Sequence, residues 1–326
     1  MTRNEQQLRV GVVGCADIAE RRMLPAMRRQ PLVDVVAVAS RSTAKAAAFA
    51  AKFDCVGITG YQELLDRDDI DAVYLPLPPG LHLEWTVKAL RAGKHVLCEK
   101  PLSVNAADAA TAVAVAREEG LLLMESFMFL HHRQHETIRK LVADGVIGDL
   151  RAFTSDFGFP PLPADADRYL ARHASALLEV GVYPIRAAQL YLGDELDVLG
   201  AHLRLGPSGQ LDVSGSALLS SAAGVTAQLT FGLEHYYRCE YSLWGSKGQI
   251  SLRRAYTTPD THAPIVRIER QDHVEEVTLP TDHQFVNIAG AFARTALDAK
   301  GFEPHGDNIL RQAALVDQVR KNATTS

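Results

Sequence analysis

Several things are scarce in this 326-residue chain, and each scarcity removes a class of function. No apolar run reaches the ~18–20 residues that a membrane-spanning helix needs. The four cysteines, Cys15, Cys55, Cys98 and Cys239, are scattered and form no CxxC pair, which points to reduced cytosolic thiols. Basic charge is not in excess: 34 Lys and Arg stand against 39 Asp and Glu, a formal net charge of −5. That balance leaves no electrostatic footprint for nucleic acid or an anionic membrane. The first residues, Met1 to Gln7, are polar and lack the apolar region of a signal peptide, so the expected location is cytoplasmic. There is no internal repeat and no low-complexity linker.

What remains is a chain that is 47% hydrophobic, long enough to bury a large core and to divide into two domains. Its first part alternates strand and helix. Leu8 to Gly14, Val33 to Ala39, Cys55 to Ile58, Asp71 to Leu77, Lys94 to Cys98 and Leu121 to Met124 read as strands. Between them, Asp17 to Arg29, Thr43 to Phe53, Tyr61 to Leu65, Pro78 to Arg91 and Ala106 to Glu119 read as helices. Apolar strands alternating with helices predict a doubly wound parallel sheet over residues 1–125, the Rossmann arrangement. Residues 126–326 read differently, as an α+β domain. Strand-like runs lie at Leu150–Phe157, Val198–Leu205, Leu211–Ser220, Val225–Phe231, Glu240–Trp244, Gln249–Leu252, Ile265–Glu269 and Val274–Leu279. Several alternate polar and apolar residues, which predicts an open, largely antiparallel sheet with two differently used faces. Helices are expected at His135–Ala143, Ala176–Tyr191, His283–Ala299 and Asn308–Val319.

Three stretches carry chemistry. Gly14-Cys15-Ala16-Asp17-Ile18-Ala19 follows the first strand, where a dinucleotide's pyrophosphate would lie on the N-terminus of the next helix. Ala16 stands where a second glycine is usual, so the motif depends on its strand-turn-helix context. The second strand ends Ala39-Ser40-Arg41-Ser42, with no acid to bind a ribose 2′-hydroxyl. A hydroxyl and a guanidinium there suit a 2′-phosphate, which favours NADP(H) over NAD(H). Third, Glu99-Lys100-Pro101 ends the fifth strand, because proline has no N–H to give a sheet. Lys100 is thereby placed just past a strand's carboxyl end, where open α/β sheets bind ligands.

Gly14 to Ala19, Leu75-Pro76-Leu77-Pro78 with His82, Glu99-Lys100-Pro101 and Glu179-Val180-Gly181-Val182-Tyr183-Pro184 together resemble the glucose–fructose oxidoreductase / inositol dehydrogenase (Gfo/Idh/MocA) family. The resemblance covers nearly the whole chain, in the family's order. Met124 to His132 and Val225 to Gly232 are most similar to its NADPH-dependent TDP-hexose 3-ketoreductases of deoxysugar and antibiotic biosynthesis. NADP-dependent dehydrogenases of free sugars and of trans-dihydrodiols share the Lys and Tyr arrangement and stay as alternatives, as does a non-catalytic NADP-binding sensor.

The resemblance implies catalytic Lys100 and Tyr183. It implies a cofactor site of Gly14, Cys15, Ala16, Asp17, Ile18, Ser40, Arg41, Leu75, Pro76, Leu77, His82, Glu99 and Lys100. Around a TDP-linked ketosugar it implies Lys100, His132, Arg168, Glu179 and Tyr183. Glu179 and Tyr183 are spaced i, i+4, on one helical face; Glu179 replaces the more frequent Asp. The second domain's sheet is expected to cover one face against another subunit, in a homodimer or homotetramer. The cluster His131, His132, His135 has no HExxH or carboxylate spacing, so no metal is expected. His131 and His135 are expected at the surface, Trp85 and Trp244 in the core.

Overall fold

The computed structural model describes residues 7–161 and 175–326. The elements begin β1 (Leu8–Val13), α1 (Leu24–Arg29), β2 (Val33–Ser40), α2 (Thr43–Phe53), β3 (Val56–Thr59), α3 (Gln62–Leu65) and β4 (Ala72–Leu75). They continue with α4 (His82–Arg91), β5 (His95–Cys98), α5 (Ala106–Glu118), β6 (Leu123–Glu125), α6 (Arg133–Ala143), β7 (Leu150–Gly158) and α7 (Val182–Leu192). Then come β8 (Leu196–Leu205), β9 (Asp212–Ser221), β10 (Thr226–Gly232), β11 (Arg238–Gly245), β12 (Gln249–Arg253), β13 (Ile265–Arg270) and β14 (His273–Thr278). The chain closes with α8 (Gln284–Asp298), α9 (Glu303–Lys321) and β15 (Ala323–Thr325). Contacts divide it into two compact units, Met1–His131 with Gln284–Ala313, and His132–His283 with Ala314–Ser326.

In the first unit β1 to β6 form one parallel sheet in the order β3-β2-β1-β4-β5-β6. Val10, Val12, Ala37, Val38, Val73, Leu75, Val96 and Cys98 are fully buried, as strands covered on both faces must be. Strand order reverses between β1 and β4, so their carboxyl ends open a crevice at the topological switch point. Side-chain caps start the helices: Ser42 accepts from the Lys45 N–H for α2, and Asn105 from the Asp108 N–H for α5. Helix α8 belongs to this unit. Asn287 donates to the His131 carbonyl at 2.9 Å, and Gln30 to the Val286 carbonyl at 3.1 Å.

The second unit holds a nine-stranded sheet in the order β14-β13-β12-β11-β7-β10-β9-β8-β15. It is mostly antiparallel, with parallel pairs β7–β10 and β8–β15. Phe153, Phe157, Leu229, Phe231, Tyr241 and Leu243 line its buried face. On the other face Ser242, Thr154, Gln228 and Leu218 stand side by side across four strands. Trp244 lies on that face and is 62% exposed, not in the core.

Two helices depart from expectation for one physical reason. Residues 17–29 and 176–192 are helical, but π turns occupy Ala19–Met23 and Leu177–Gly181. The Leu24 N–H bonds the Ala19 carbonyl and the Val182 N–H bonds the Leu177 carbonyl, five residues back in each case. Pro25 and Pro184 follow within two residues. A proline gives no N–H to the ladder, and the preceding turn widens to accommodate it; such turns favour functional sites.

The histidine expectation needs correcting. His135 is 2% exposed, not at the surface, and His131 is only partly exposed. The His135 Nε2 donates to the Ala255 carbonyl at 3.0 Å, so its Nδ1 accepts from the Tyr241 hydroxyl at 2.9 Å, which in turn meets the Tyr191 hydroxyl at 2.5 Å. Burial pushes His135 down to about 3 and His131 to about 4. The unfolded chain therefore binds protons below the usual histidine value of ~6.5 that the folded chain refuses. Stability falls as pH drops from there towards about 3 for His135, by roughly 1.4 kcal/mol per pH unit per such histidine. Urea titrations at pH 6 and pH 5 test this. The His135→Gln variant should show a slope shallower by about one proton, and an unchanged slope would contradict the assignment.

Candidate active site

The first unit places the cofactor residues around the sheet's switch point. β1 ends at Val13, and the Gly14 N–H bonds the Ala39 carbonyl at 3.0 Å. Gly14 has φ +119°, a conformation that L side chains rarely adopt. A Cβ there would also sit 2.8 Å from Leu77 Cδ2. This is a cradle kept open by the absence of a side chain, as close approach of a pyrophosphate requires. Cys15 is buried, Ala16 and Ile18 are half-buried, and exposed Asp17 pairs with Arg21 one turn on. Burial pushes the Cys15 thiol up, so it stays protonated.

At the end of β2, Ser40 is buried and its hydroxyl accepts from the Ser42 N–H at 3.2 Å. Arg41 is exposed and has no ion pair among the described residues. Asp34 is at the opposite end of the strand. The residues present therefore fit a nicotinamide dinucleotide carrying a 2′-phosphate: an open glycine cradle, a hydroxyl, an uncommitted guanidinium and no competing acid.

Beside this lies the turn that bears Lys100. The Glu99 N–H bonds the Leu75 carbonyl at 3.1 Å, continuing the β4–β5 pairing. Three side chains hold the turn. Tyr74 donates to Glu99 at 2.7 Å, Glu125 accepts from the Leu102 N–H at 2.8 Å, and His82 has Nδ1 2.8 Å from the Pro101 carbonyl. The other His82 nitrogen is 2.6 Å from the Leu77 carbonyl. His82 is fully buried and so ties the Leu75-Pro76-Leu77 segment to the lysine turn. Burial, with the nearby Lys100 ammonium adding to it, depresses its pKa. Burial also raises Glu99, against the Tyr74 hydroxyl and the Lys100 charge, which favour its carboxylate. Tyr74 lies outside the motifs, and Glu125 lies in the Met124 to His132 stretch with no role expected for it. The one signal for Tyr74 is a hydroxyl in an otherwise apolar strand, Ala72-Val73-Tyr74-Leu75.

The second unit supplies Tyr183, Glu179 and His132. Tyr183 opens α7 just after the π turn and is 5% exposed. Its ring is gripped by Phe157, edge-on at 5.2 Å, and by Tyr256 at 5.6 Å. The Tyr256 hydroxyl is itself held 2.5 Å from Ser155 Oγ. Neither Phe157 nor Tyr256 falls in a recognisable motif. Glu179 is half-buried within the π turn. His132 is buried and caps α6. Arg168 lies outside the described residues. Among the described residues no group of three or more His, Cys, Asp or Glu is placed to hold a metal ion, and no helix is long and apolar enough to cross a membrane.

A parallel sheet with a glycine cradle at its switch point and a lysine at a neighbouring strand end defines a dinucleotide-binding oxidoreductase of the Rossmann class. The chain belongs to the Gfo/Idh/MocA family: residues 8–127 match its oxidoreductase model with an NAD-binding Rossmann fold, and residues 135–251 match its C-terminal domain. It is 50% identical over 321 residues, 98% of this chain and 97% of the relative, to a dTDP-3,4-didehydro-2,6-dideoxy-alpha-D-glucose 3-reductase from Actinomadura kijaniata. A reductase of the same name from Saccharopolyspora spinosa is 48% identical, covering 96% of both chains. Among solved structures, a 3-ketoreductase from Actinomadura kijaniata in complex with NADP and TDP-benzene matches with a TM-score of 0.94 at 50% identity. The match covers 98% of this chain and 99% of that one.

Proposed function

We propose that this protein reduces the C3 ketone of a TDP-linked keto-deoxyhexose with NADPH, in the cytoplasm, as a step of deoxysugar biosynthesis. One observation carries the reading: the open Gly14 cradle and the clamped Lys100 turn sit on one sheet, in a chain half-identical along 98% of its length to a dTDP-keto-dideoxyglucose 3-reductase. NADPH, when bound, supplies the hydride. Gly14 to Ile18 receive the pyrophosphate, and Ser40 and Arg41 receive the 2′-phosphate. A free tyrosine's phenol has a pKa of ~10 and is protonated at neutral pH; Tyr183 gives its proton to the forming alkoxide. The Lys100 ammonium favours the phenolate left behind and steadies negative charge as it develops on oxygen. Glu179 and Arg168 contribute to the sugar pocket.

The deciding assay offers a TDP-3,4-diketo-2,6-dideoxyhexose pool with NADPH, and separately free pentoses and trans-dihydrodiols with NADP⁺. Oxidation of NADPH with a product two mass units heavier than the substrate supports the reading. Turnover only on the second panel would move the protein to the dehydrogenases.

The exposed sheet face is proposed to be the assembly surface. Its outward residues combine Thr154, Gln228, Ser242, Leu218 and Trp244 with the charged Asp156, Arg238, Glu240, Arg267 and Glu269, a surface suited to a self-complementary contact in a dimer or a tetramer of dimers. Light scattering should find a multiple of 35.5 kDa. A monomer at all working concentrations would rule this out.

A further inference from the structure

Past the end of β12 the backbone takes a conformation that its residue does not favour. Arg254 has φ +54°, in the left-handed region where glycine is the usual residue. Among the described residues, two other non-glycine residues share that region, Asp54 and Ala299. Asp54 is the C-cap of α2, and Ala299 follows the last residue of α8; helices commonly end that way. Arg254 ends no helix. It follows a strand, in a turn that glycine would make without strain, and what stands there is a long cation. Strain held at such a residue suggests a use for its side chain.

The turn is pinned and its guanidinium is uncommitted. The Ala255 N–H bonds the Cys239 carbonyl at 3.0 Å, and the Ala255 carbonyl accepts from His135 at 3.0 Å and Gln134 at 3.1 Å. The Thr258 hydroxyl donates to the Arg254 carbonyl. The Arg254 side chain is exposed and lies over the Tyr237 ring, with Cζ 5.2 Å from its centroid. That ring is held in turn, its hydroxyl 3.2 Å from Thr257 Oγ1. Nearby cations are neutralised: Arg253 faces Glu240 at 3.7 Å, and Arg238 faces Asp156 at 2.9 Å. Arg254 has no ion pair among the described residues.

The same turn reaches the proposed proton donor. Tyr256, two residues on, has its ring 5.6 Å from that of Tyr183 and 5.4 Å from that of Phe157. Its N–H bonds Cys239 Sγ at 3.2 Å. Tyr237 keeps the alternation of Cys239 and Tyr241, whose side chains lie on the buried face of the sheet with Phe157. Arg254 therefore stands in the same compact unit as Tyr183, on the turn whose aromatic ring packs against it.

We infer that Arg254, stacked on Tyr237, receives the diphosphate of the nucleotide sugar. The inference deepens the reductase reading and rests on it for the identity of the anion. In such a substrate the sugar ring is uncharged and the diphosphate hangs from C1, one ring carbon removed from the C3 ketone. A cation that holds it belongs beside the proton donor, where Arg254 is. The planar guanidinium presents two parallel N–H groups to phosphate oxygens. The Tyr237 face steadies that cation without cancelling its charge, and the pinned turn leaves little freedom to lose on binding.

Arg254→Gly removes the cation and suits the left-handed backbone, so Tm should stay near wild type and a loss of binding is not a loss of fold. Calorimetry on the NADP-bound protein should find the Kd for TDP raised roughly ten- to hundredfold, the size of hydrogen bonds to a charged group. Thymidine, which has no phosphate, should bind variant and wild type alike. KM for the TDP-ketosugar should rise by a factor similar to that for TDP, and KM for NADPH should not. Arg254→Lys keeps the charge without the fork and should recover part of the TDP affinity. Wild-type TDP affinity in Arg254→Gly, or an equal loss for TDP and thymidine, overturns the assignment while leaving the reductase reading in place. Wild-type protein that binds no TDP and does not oxidise NADPH with the ketosugar would sink that reading, and the diphosphate with it.

Discussion

Tyr183→Phe is expected to lower kcat by ~10²–10⁴, the range for losing a positioned general acid. The substitution keeps the ring between Phe157 and Tyr256 and removes only the hydroxyl, so Tm and NADPH binding should stay near wild type. Lys100→Ala should cost a similar factor, because it removes charge stabilisation needed most in the transition state. The two residues are proposed to act as one unit, and knockouts within such a unit are far from additive. The double variant should therefore be only slightly slower than the poorer single. If the two losses multiplied in full, the residues would be working independently. Wild-type kcat in Tyr183→Phe, with hydride transfer shown to be rate-limiting, would remove tyrosine from the proton's path.

The second large effect is expected at the cofactor's far end. Arg41→Ala should raise KM for NADPH roughly ten- to hundredfold, the size of one charge-assisted hydrogen bond, and leave KM for NADH nearly unchanged. Arg41 is exposed and has no ion pair among the described residues, so its loss breaks none of their ion pairs and Tm should stay near wild type. High salt should weaken the wild-type preference in the same direction, since an exposed charge pair is screened. An unaltered NADPH-to-NADH ratio in the variant would take Arg41 out of the site.

Much of the parallel sheet could be read directly, because its strands are covered on both faces and so are written as unbroken apolar runs. Val96-Leu97-Cys98 and Ala72-Val73-Tyr74-Leu75 are examples. Local signals also placed α2, whose observed span Thr43–Phe53 matches the expectation, with Ser42 as its cap. What escaped reading depends on partners distant in sequence. Ala323-Thr324-Thr325 is too short to stand out as a strand, although threonine favours one, and becomes β15 by pairing with Ala201 to Leu203. Helix α9 begins at Glu303, five residues before the expected Asn308, because Pro304 falls in its first turn. Proline is welcome there although it breaks a helix interior.

The candidate site divides along the same line. Gly14 and Lys100 stand in motifs that are legible along the chain. Tyr74 and Glu125, which hold the lysine turn, reach it through the third dimension, and nothing local marks either as its partner. His135 was misread because a histidine's polarity was taken for exposure. Only the contacts from Tyr241 and Ala255 reveal that its polar atoms are satisfied inside.

The membership of residues 284–313 in the first compact unit has a consequence for how the protein is made. A ribosome emits residues 8–125, with all six strands of the parallel sheet, long before it reaches Gln284. Until then α8 is missing, and so are the Asn287 bond to the His131 carbonyl and the Val286 carbonyl that receives Gln30. The nascent sheet must wait through the synthesis of the whole second sheet before its own unit is complete. Its two ends are thus tied to full-length translation: a chain released early keeps the nucleotide-binding letters but not the finished unit, and excising residues 1–125 as a free-standing module would discard part of what belongs to it.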